Sequence, residues 1–237
     1  MIVRCFGLLA LTFLTACGSR IYDQSKPGEF TGSLLVMWVE GGGGKPGDGK
    51  FVYVPDLDRQ GRALTFRRGA QTDGREVHIE TIEPRLMYTD GGSVPRLVQP
   101  VKGLNPWGYA PAYMVHDWLF AANRCVNAKD ANTDEAKVDG VTFRESFEIM
   151  AEMLKTLETQ NPVAGSDVQP SAITWAVSSG ISKGLWEDDT CPDPRISEDH
   201  EKQIKARLGI GVAGQQKSVR IAGEDVPPAR VVQVIEF

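Results

Sequence analysis

Hydrophobic and polar positions follow a strand-like pattern in the first third of the chain. The stretches SLLVMWVE (33–40) and KFVYVPD (50–56) are rich in β-branched and aromatic residues, and the intervening GGGGKPGDG has loop composition. ALTFRRG (63–69) and REVHIETIEPRLMYTD (75–90) continue the pattern. The chain returns to it in its last 20 residues, SVRIAGEDVPPARVVQVIEF, around a Pro-Pro turn. We therefore expect a small antiparallel N-terminal sheet that the C-terminal strand or strands rejoin.

After residue 107 the hydrophobic period becomes helical. Pro111 suits the first turn of a helix, and one face carries Ala112, Val115, Leu119 and Ala122. This spacing predicts a helix whose apolar face packs into the core. A shorter helical turn is expected from Asn132, because Glu135 stands at the offset of a capping box, and Gly140 separates this turn from the next helix.

The second long helix is predicted by a capping box of Thr142 and Glu145, and its other face is expected to be charged. The apolar stripe that follows consists of Phe143, Phe147, Met150, Leu154 and Leu157. A third helix is expected from Ser171 to Trp186. Its small residues at four-residue spacing, which predict close packing of another helix, are Ala176, Gly180 and Gly184. The segment ISEDHEKQIKARLG (196–209) predicts a polar surface helix with a solvated His200.

These elements predict an α+β fold in which a small antiparallel N-terminal sheet is followed by a three- to four-helix layer. We expect residues 30–187 to form a single domain, and residues 188–237 to form a C-terminal extension packed on the same domain. His78 falls in a predicted strand, and we expect it to be a surface or cross-strand residue.

The N-terminus has the features of a secretory signal. MIVRCFGLLALTFLTAC contains a basic Arg4, a short apolar run and small residues before Cys17, which predicts a signal peptide over residues 1–16 that is too short to span a bilayer. Leu14-Thr15-Ala16-Cys17 resembles the lipobox of bacterial lipoproteins. This resemblance implies that Cys17 is acylated and that residues 17–29 form a lipidated tether. The alternative is an ordinary cleaved signal with an incidental cysteine.

The resemblance also implies a location in the bacterial cell envelope, at the outer membrane in a Gram-negative organism. The membrane is then reached through the N-terminal lipid, since no later apolar run is long enough to cross a bilayer. The chain has a formal net charge of −5 and no cluster of Lys or Arg, which argues against a nucleic-acid partner. No protein partner is indicated.

Two cysteines remain outside the signal and the lipobox, Cys125 and Cys191. In an oxidising compartment they suggest one disulfide, and the alternative is two free thiols. Neither belongs to a CxxC or CxH motif, so a metal site made from these two alone is not expected.

The most unusual stretch is MVHDWLF (114–120), which sets His116 and Asp117 in an apolar helical run. Burying an unpaired charge costs several kcal/mol, and helical geometry makes the two neighbouring side chains diverge, so each needs a partner elsewhere. The turn TDGGSVP (89–95) supplies candidates in Asp90 and Ser93. In a structural interpretation, these four residues clasp the turn to the helix.

In a catalytic interpretation, His116 is a general base. Asp117 or Asp90 then either orients the imidazole or binds a divalent cation such as calcium. Two common hydrolytic sites are not indicated, because Ser93 lacks a GxSxG motif and the chain has no HExxH motif.

The turn and the helix together resemble a phage- and bacteria-associated family catalogued as domain of unknown function 1353. In that family a T-D-x-x-S-x-P turn precedes a helix bearing H-D-x-L-Y, and the match covers roughly residues 30–187. Phe120 stands where the family usually has Tyr. The resemblance implies a shared fold and a recurring polar cluster, but it assigns no reaction.

The His-Asp helix also resembles that of calcium-dependent secreted phospholipases, in which the His activates water and the Asp binds calcium. The paired cysteines around that helix and the calcium-loop pattern are missing here. Two functions are therefore predicted. One is an envelope-tethered hydrolase of lipid or a similar substrate, using Asp90, Ser93, His116 and Asp117. The other is a non-enzymatic, phage-derived surface lipoprotein that binds an envelope or phage component.

Overall fold

A computed structural model describes residues 20–40, 49–56, 61–70, 76–89, 109–160, 170–191, 196–209, 219–221, 224–226 and 229–237. It has the predicted α+β class, with antiparallel sheets and a set of helices. The strands are β1 (Glu29–Thr31), β2 (Ser33–Val39), β3 (Lys50–Asp56), β4 (Thr65–Arg67), β5 (Thr81–Ile82), β6 (Met87–Thr89), β7 (Val219–Ile221), β8 (Glu224–Val226) and β9 (Arg230–Glu236). The helices are α1 (Ala110–Asn127), α2 (Phe143–Gln160), α3 (Pro170–Val177), α4 (Gly180–Trp186) and α5 (Glu198–Gly209), with a 3-10 turn at Glu135–Val138.

The central sheet has four antiparallel strands in the order β6-β3-β2-β9. The predicted pairing of the first two long strands is confirmed, with Leu35 opposite Val54. The predicted return of the C-terminal strand is also confirmed, because Val234 of β9 lies opposite Leu35 from the other side.

The remaining described strands lie outside this sheet, so the strands predicted from the sequence divide among more than one antiparallel sheet. β1, β4 and β5 form a three-stranded sheet, and β7 and β8 form a two-stranded ribbon. The break between β1 and β2 falls at Gly32, whose φ is +90°, and a Cβ at this position would lie 2.2 Å from the backbone nitrogen of Leu64. Only glycine fits this conformation and this close approach, so the chain can leave one sheet and enter the other within one residue.

Both faces of the central sheet are covered, which explains why β2 is buried along almost its whole length and shows little alternation. Leu34 and Val36 pack into the main core beside α1 and α2. Leu35 and Met37 point to the opposite face, where they join a smaller core that includes Ile204 of α5. No described helix is both long enough and apolar enough to span a membrane.

The expected capping boxes form to different extents. Asn132 and Glu135 bond reciprocally, since the Asn132 side chain accepts from the Glu135 N–H at 3.0 Å and the Glu135 carboxylate accepts from the Asn132 N–H at 2.8 Å. At the start of α2, Thr142 Oγ1 accepts from the Glu145 N–H at 3.1 Å. The reciprocal bond is absent among the described contacts of that pair, because the Glu145 carboxylate binds Arg68 and His78.

The third predicted helix is two helices, so its expected continuity from 171 to 186 is wrong. Ser179 is extended, with φ −72° and ψ 162°, and its hydroxyl accepts from the Ser182 N–H as the N-cap of α4. A Cβ at Gly180 or Gly184 would meet no atom within 4 Å, so the expected close packing of a helix on these glycines is also wrong. A serine with a strong N-cap preference followed by glycine, a poor helix former, ends one helix and starts the next.

Three acidic residues on the predicted charged face of α2 are buried. They are Glu145, Glu148 and Glu152, each exposed by 6% or less. The guanidinium of Arg68, next to β4, contacts Glu145 at 2.5 Å and Glu152 at 2.7 and 2.9 Å. This buried network joins the three-stranded sheet to α2.

Residues 20–28, which the sequence assigns to the tether, lie on α2. The ammonium group of Lys155 donates to the carbonyls of Tyr22, Asp23 and Ser25 at 2.8–3.0 Å, at the end of a short helical turn. A cation at the C-terminal end of a helical turn is favourable, because it meets carbonyls without intrahelical partners. The Tyr22 hydroxyl also bonds Glu158.

Replacing Arg68 by Met should lower the free energy of unfolding by about 3–5 kcal/mol, because it leaves two buried carboxylates without their cation. The matched control is Arg67→Met in the same strand, since Arg67 forms an exposed pair with Glu29. That change should cost less than about 1 kcal/mol. Urea unfolding at pH 7 measures both values, and equal losses in the two variants would contradict the assignment of the network as a structural centre.

Candidate functional site

The candidate residues His116 and Asp117 lie in the middle of α1, which is buried on most of its circumference. Pro111 occupies the first turn, where its missing N–H needs no intrahelical acceptor. The helix ends before Lys129, which has the left-handed φ of 59°. A long, almost fully buried helix places the side chains of its central residues in the protein interior.

His116 is buried against an aromatic ring. Its side chain belongs to a residue that is 6% exposed, and its ring lies 4.6 Å from that of Phe120, which in turn meets Trp186 edge-to-face at 4.9 Å. Among the described residues, the Nε2 atom of His116 has no hydrogen-bond partner and no carboxylate lies at ion-pair distance from the ring. Burial lowers the pKa of His116 from 6.5 to about 4, so the imidazole is neutral at pH 7.

Asp117 is half-buried and diverges from His116, as the helical spacing requires. Burial, the main cause, together with nearby acidic groups that include Asp117, raises the pKa of Tyr113 well above its usual value. The Tyr113 hydroxyl is itself buried without a hydrogen-bond partner in the described part of the chain. Two polar atoms on neighbouring turns of α1, Tyr113 Oη and His116 Nε2, are thus unsatisfied.

Asp90 and Ser93 lie outside the described residues, and so does Cys17. The structure therefore places His116 and Asp117 on α1 without placing the turn that the sequence sets beside them. Among the described residues Nε2 of His116 has no partner, and the turn that would supply one in the clasp interpretation lies outside them.

The C-terminal half of α1 is tied to the segment that follows α4. Cys125 and Cys191 form the predicted disulfide, with a sequence separation of 66. The side-chain amides of Asn123 and Asn127 donate to the carbonyl of Trp186 at 2.7 and 3.0 Å. These contacts hold Trp186 over Phe120 and complete the apolar enclosure of His116.

The disulfide also decides the outcome for metal binding near Cys125. A carboxylate oxygen of Glu135 and the two sulfurs lie within 4.8 Å of one another, which is the metal-ligand grouping found in the described ranges. Sulfurs bonded to each other are not thiolates and cannot serve as zinc ligands. Asp117 does not belong to this grouping, and its predicted calcium partner Asp90 lies outside the described residues.

A second histidine cluster joins α5 to the central sheet, so the prediction of a solvated His200 is wrong. The ring of His200 donates from Nε2 to the carbonyl of Glu40 at 3.1 Å, and its Nδ1 lies 2.8 Å from the Tyr88 hydroxyl. A carbonyl can only accept, so Nε2 of His200 carries a proton. Tyr88 also accepts from the Ser197 N–H at 2.9 Å. One local sign of this cluster is visible in the sequence. Ser197, an N-cap residue, stands three positions before His200, and its hydroxyl accepts from the His200 N–H.

His78 takes part in the buried ion network and is more than a surface or cross-strand residue. Its Nδ1 lies 2.8 Å from Glu145, and its own N–H donates to the same carboxylate at 3.0 Å. Glu145, Glu148 and Glu152 share one face of α2. This spacing shows in the sequence that the three carboxylates lie in a row. Nothing in the sequence indicated that Arg68 would meet them.

Comparisons with family models, curated proteins and solved structures find no match to this chain. The resemblances stated above to domain of unknown function 1353 and to secreted phospholipases stay predictions.

His116 should make stability depend on pH in a defined window. Because burial lowers the folded-state pKa to about 4, the unfolded chain takes up a proton near pH 6.5 while the folded chain stays neutral. The unfolded state therefore binds more protons between these values, and stability falls as pH falls from 6.5 to 4. The full loss from this group is on the order of 3 kcal/mol.

Urea unfolding at pH 7 and pH 4 measures this effect when the parent chain is compared with His116→Leu, which keeps a similar volume and cannot titrate. The parent should lose on the order of 3 kcal/mol more than the variant between the two pH values. Parallel pH curves for the two proteins would show that His116 is accessible to protons in the folded state.

Proposed function

We propose that this chain is a lipid-anchored protein of a bacterial cell envelope that binds an envelope or phage component and does not use His116 as a catalytic base. The observation that carries the proposal is the packing of the His116 imidazole against Phe120, with its Nε2 atom buried. The residues around it supply packing and provide no described polar partner for a reacting group.

A general base needs contact with the proton that it removes and, in most sites, a group that orients its ring. His116 is 6% exposed, and within the described ranges no carboxylate stands behind it. Burial is the cause of its lowered pKa. These features are typical of an imidazole that fills space in a core.

The proposed anchor is supported by the signal-like N-terminus, by the lipobox resemblance and by the Cys125–Cys191 disulfide, which is typical of oxidising compartments. Lys155 holds the turn at 20–24 against α2, so only two residues separate Cys17 from the first residue of this turn. The three steps from residue 17 to residue 20 span at most about 11 Å. A lipid on Cys17 would keep the domain at the membrane surface.

Exposed apolar side chains support binding as the function. Trp175 of α3 and Ile181 and Leu185 of α4 are exposed by 39–71%. Large aliphatic and aromatic groups that stay in water are more typical of a surface that meets another molecule than of a catalytic centre.

A hydrolase is the second candidate, and one observation favours it. At pH 7 the imidazole of His116 is in its basic form, and its Nε2 is not committed to another described group. A substrate admitted to this position would meet a competent base, with calcium held by Asp117 and Asp90 as the phospholipase resemblance implies.

The anchor is tested by labelling cells that express the full chain with a radioactive fatty acid. The parent and the control Cys5→Ser should incorporate label, since Cys5 lies in the cleaved segment, and Cys17→Ser should not. Equal labelling of the Cys17→Ser variant and the parent would refute acylation at this residue.

The choice between binding and hydrolysis is tested with mixed phospholipid vesicles, in the presence of calcium or of a chelator. The parent and His116→Leu should release equally little fatty acid, with or without calcium. Release by the parent that requires calcium and disappears in His116→Leu would establish the hydrolase and overturn the binding proposal. The melting temperature of each protein, recorded in parallel, shows that the variant is folded.

A further inference from the structure

The imidazole of His78 directs one ring nitrogen into the protein and the other outwards. Its Nδ1 atom lies 2.8 Å from Oε2 of Glu145, and the backbone N–H of His78 donates to Oε1 of the same carboxylate at 3.0 Å. The Glu145 side chain is almost fully buried, whereas 27% of the His78 side chain is exposed. An ionised carboxylate only accepts hydrogen bonds, so Nδ1 carries a proton. In the neutral ring the lone pair is then on the outward nitrogen, Nε2.

The ring of His78 is held in this orientation by groups from two other parts of the chain. The guanidinium of Arg68 contacts the Glu145 carboxylate at 2.5 Å and so holds the acceptor of Nδ1 in place. Gly140 lies beside the ring with a φ of +85°, and a Cβ at this position would lie 3.3 Å from Cδ2 of His78. Glycine adopts this φ without steric cost and leaves room for the ring. The direction of Nε2 is therefore set by the fold.

A carboxylate stands beside the outward nitrogen at the distance that two ligands of one metal ion keep. Oε1 of Glu76 lies 3.5 Å from Nε2 of His78, and the Glu76 side chain is 84% exposed. This separation exceeds that of an ordinary N–H···O hydrogen bond, which is about 2.9–3.0 Å. In tetrahedral zinc sites the ligand nitrogen and oxygen atoms lie about 2.0–2.2 Å from the metal and therefore about 3.4 Å from each other. The two atoms are thus spaced to share one ion.

The contact between Nδ1 and Glu145 is the usual environment of a histidine that binds a metal. In such sites the ligating histidine donates its other ring N–H to a carboxylate or a carbonyl, which fixes the tautomer and the orientation of the ring. The other two histidines differ, because both ring nitrogens of His200 lie within hydrogen-bond distance of other groups and Nε2 of His116 is buried. His78 combines an inner nitrogen bound to a carboxylate with an outward nitrogen beside a second carboxylate.

We propose that Nε2 of His78 and the carboxylate of Glu76 bind a divalent transition-metal ion, and that this ion is zinc, whose ligand preference and geometry the pair fits. Glu145 is a positioning residue, because it acts on the metal through the imidazole. Two protein ligands leave two tetrahedral positions to water, so the site is open to a donor group of a bound molecule. The inference goes beyond the proposed function, and it depends neither on the lipid anchor nor on His116.

Zinc binding is measured by isothermal titration calorimetry at pH 7 on the full chain, extracted in a non-ionic detergent and freed of metal. The parent should bind one zinc ion per chain. His78→Asn should abolish binding, because the asparagine amide can still donate to Glu145 but has no atom in the place of Nε2. Glu76→Gln should weaken binding by at least about tenfold, since a neutral amide oxygen is a poorer zinc ligand than a carboxylate.

Each of these variants has a matched control elsewhere in the chain. His200→Asn makes the same replacement at a histidine whose ring nitrogens are both engaged, and Glu187→Gln makes the same replacement at another exposed carboxylate. Both controls should bind zinc with the affinity of the parent. The melting temperature of every metal-free protein, recorded in parallel, shows that the variants are folded.

The ligand atom and the role of Glu145 are tested by NMR of the ring nitrogens, with histidine labelled with nitrogen-15. The chain has three histidines, and the spectrum of His78→Asn assigns the resonances of His78. In the metal-free parent the proton of this ring should be on Nδ1, and zinc should shift Nε2 of His78 and leave the other two rings unchanged. Glu145→Gln should mix the two tautomers and weaken zinc binding by about tenfold to a hundredfold.

Three results would overturn the proposal. The first is a folded parent that binds no zinc. The second is equal zinc affinity in the parent and in folded His78→Asn or Glu76→Gln, which indicates that the ion is bound elsewhere. The third is a zinc-induced shift at Nδ1 of His78 or at the ring of another histidine. If Glu145→Gln does not fold, the position of the ring proton in the parent decides the role of Glu145, and a proton on Nε2 would reject it.

Discussion

The guanidinium of Arg68 is the group on which the arrangement of sheets and helices depends. It lies where the strand β4 ends, and it binds Glu145 and Glu152 one and a half to two turns apart on α2. Burial lowers the pKa of Arg68, but its hydrogen bonds and the charges of Glu152 and Glu145 outweigh this effect and raise it above the usual value. Two carboxylates buried beside one cation tolerate little displacement, so the network fixes the position of α2 along the three-stranded sheet.

This placement of α2 determines the environment of α1. The side chains of α1 enter the same core as those of α2 and the inner face of the central sheet. With Trp186 held by Asn123 and Asn127, the imidazole of His116 meets aromatic rings. His78 faces a carboxylate and His200 faces a tyrosine and a carbonyl, so the three histidines of the chain occupy three different environments. Burial without a described charged partner lowers the pKa of His116 to about 4.

Features that depend on neighbours in sequence were predictable, and the distant side-chain partners of buried polar and charged residues were not. The hairpin of β2 and β3 and the cap formed by Asn132 and Glu135 follow from alternation and spacing over a few residues. The Arg68–Glu145 contact spans 77 residues and the Tyr88–His200 contact spans 112. A polar residue on a helix looks solvated in sequence until its partner is known.

The candidate site shows the same limit in another form. The sequence correctly separates His116 from Asp117 by the helical angle, because that angle is local. The sequence cannot show that the ring of His116 would lie against that of Phe120, near Trp186. Trp186 ends α4, and the disulfide that ties the following segment to α1 joins residues 66 apart in sequence. The break at Ser179 was missed for a different reason. The spacing of apolar and small residues stays helical across Ser179, so the sequence pattern shows no break there. Only the extended backbone of Ser179, the N-cap of α4, separates α3 from α4.

The position of β9 links the end of the chain to the stability of its first long strand. β2 is buried on both faces, and β3 covers only one of its edges. Until the C-terminal residues arrive, the other edge of β2 presents unpaired backbone groups beside buried apolar side chains. β9 satisfies these groups and becomes the new edge, now with a charged residue at each end and a skipped residue at Val232. Completing the sheet therefore exchanges the apolar edge of β2 for an edge strand with a charged residue at each end.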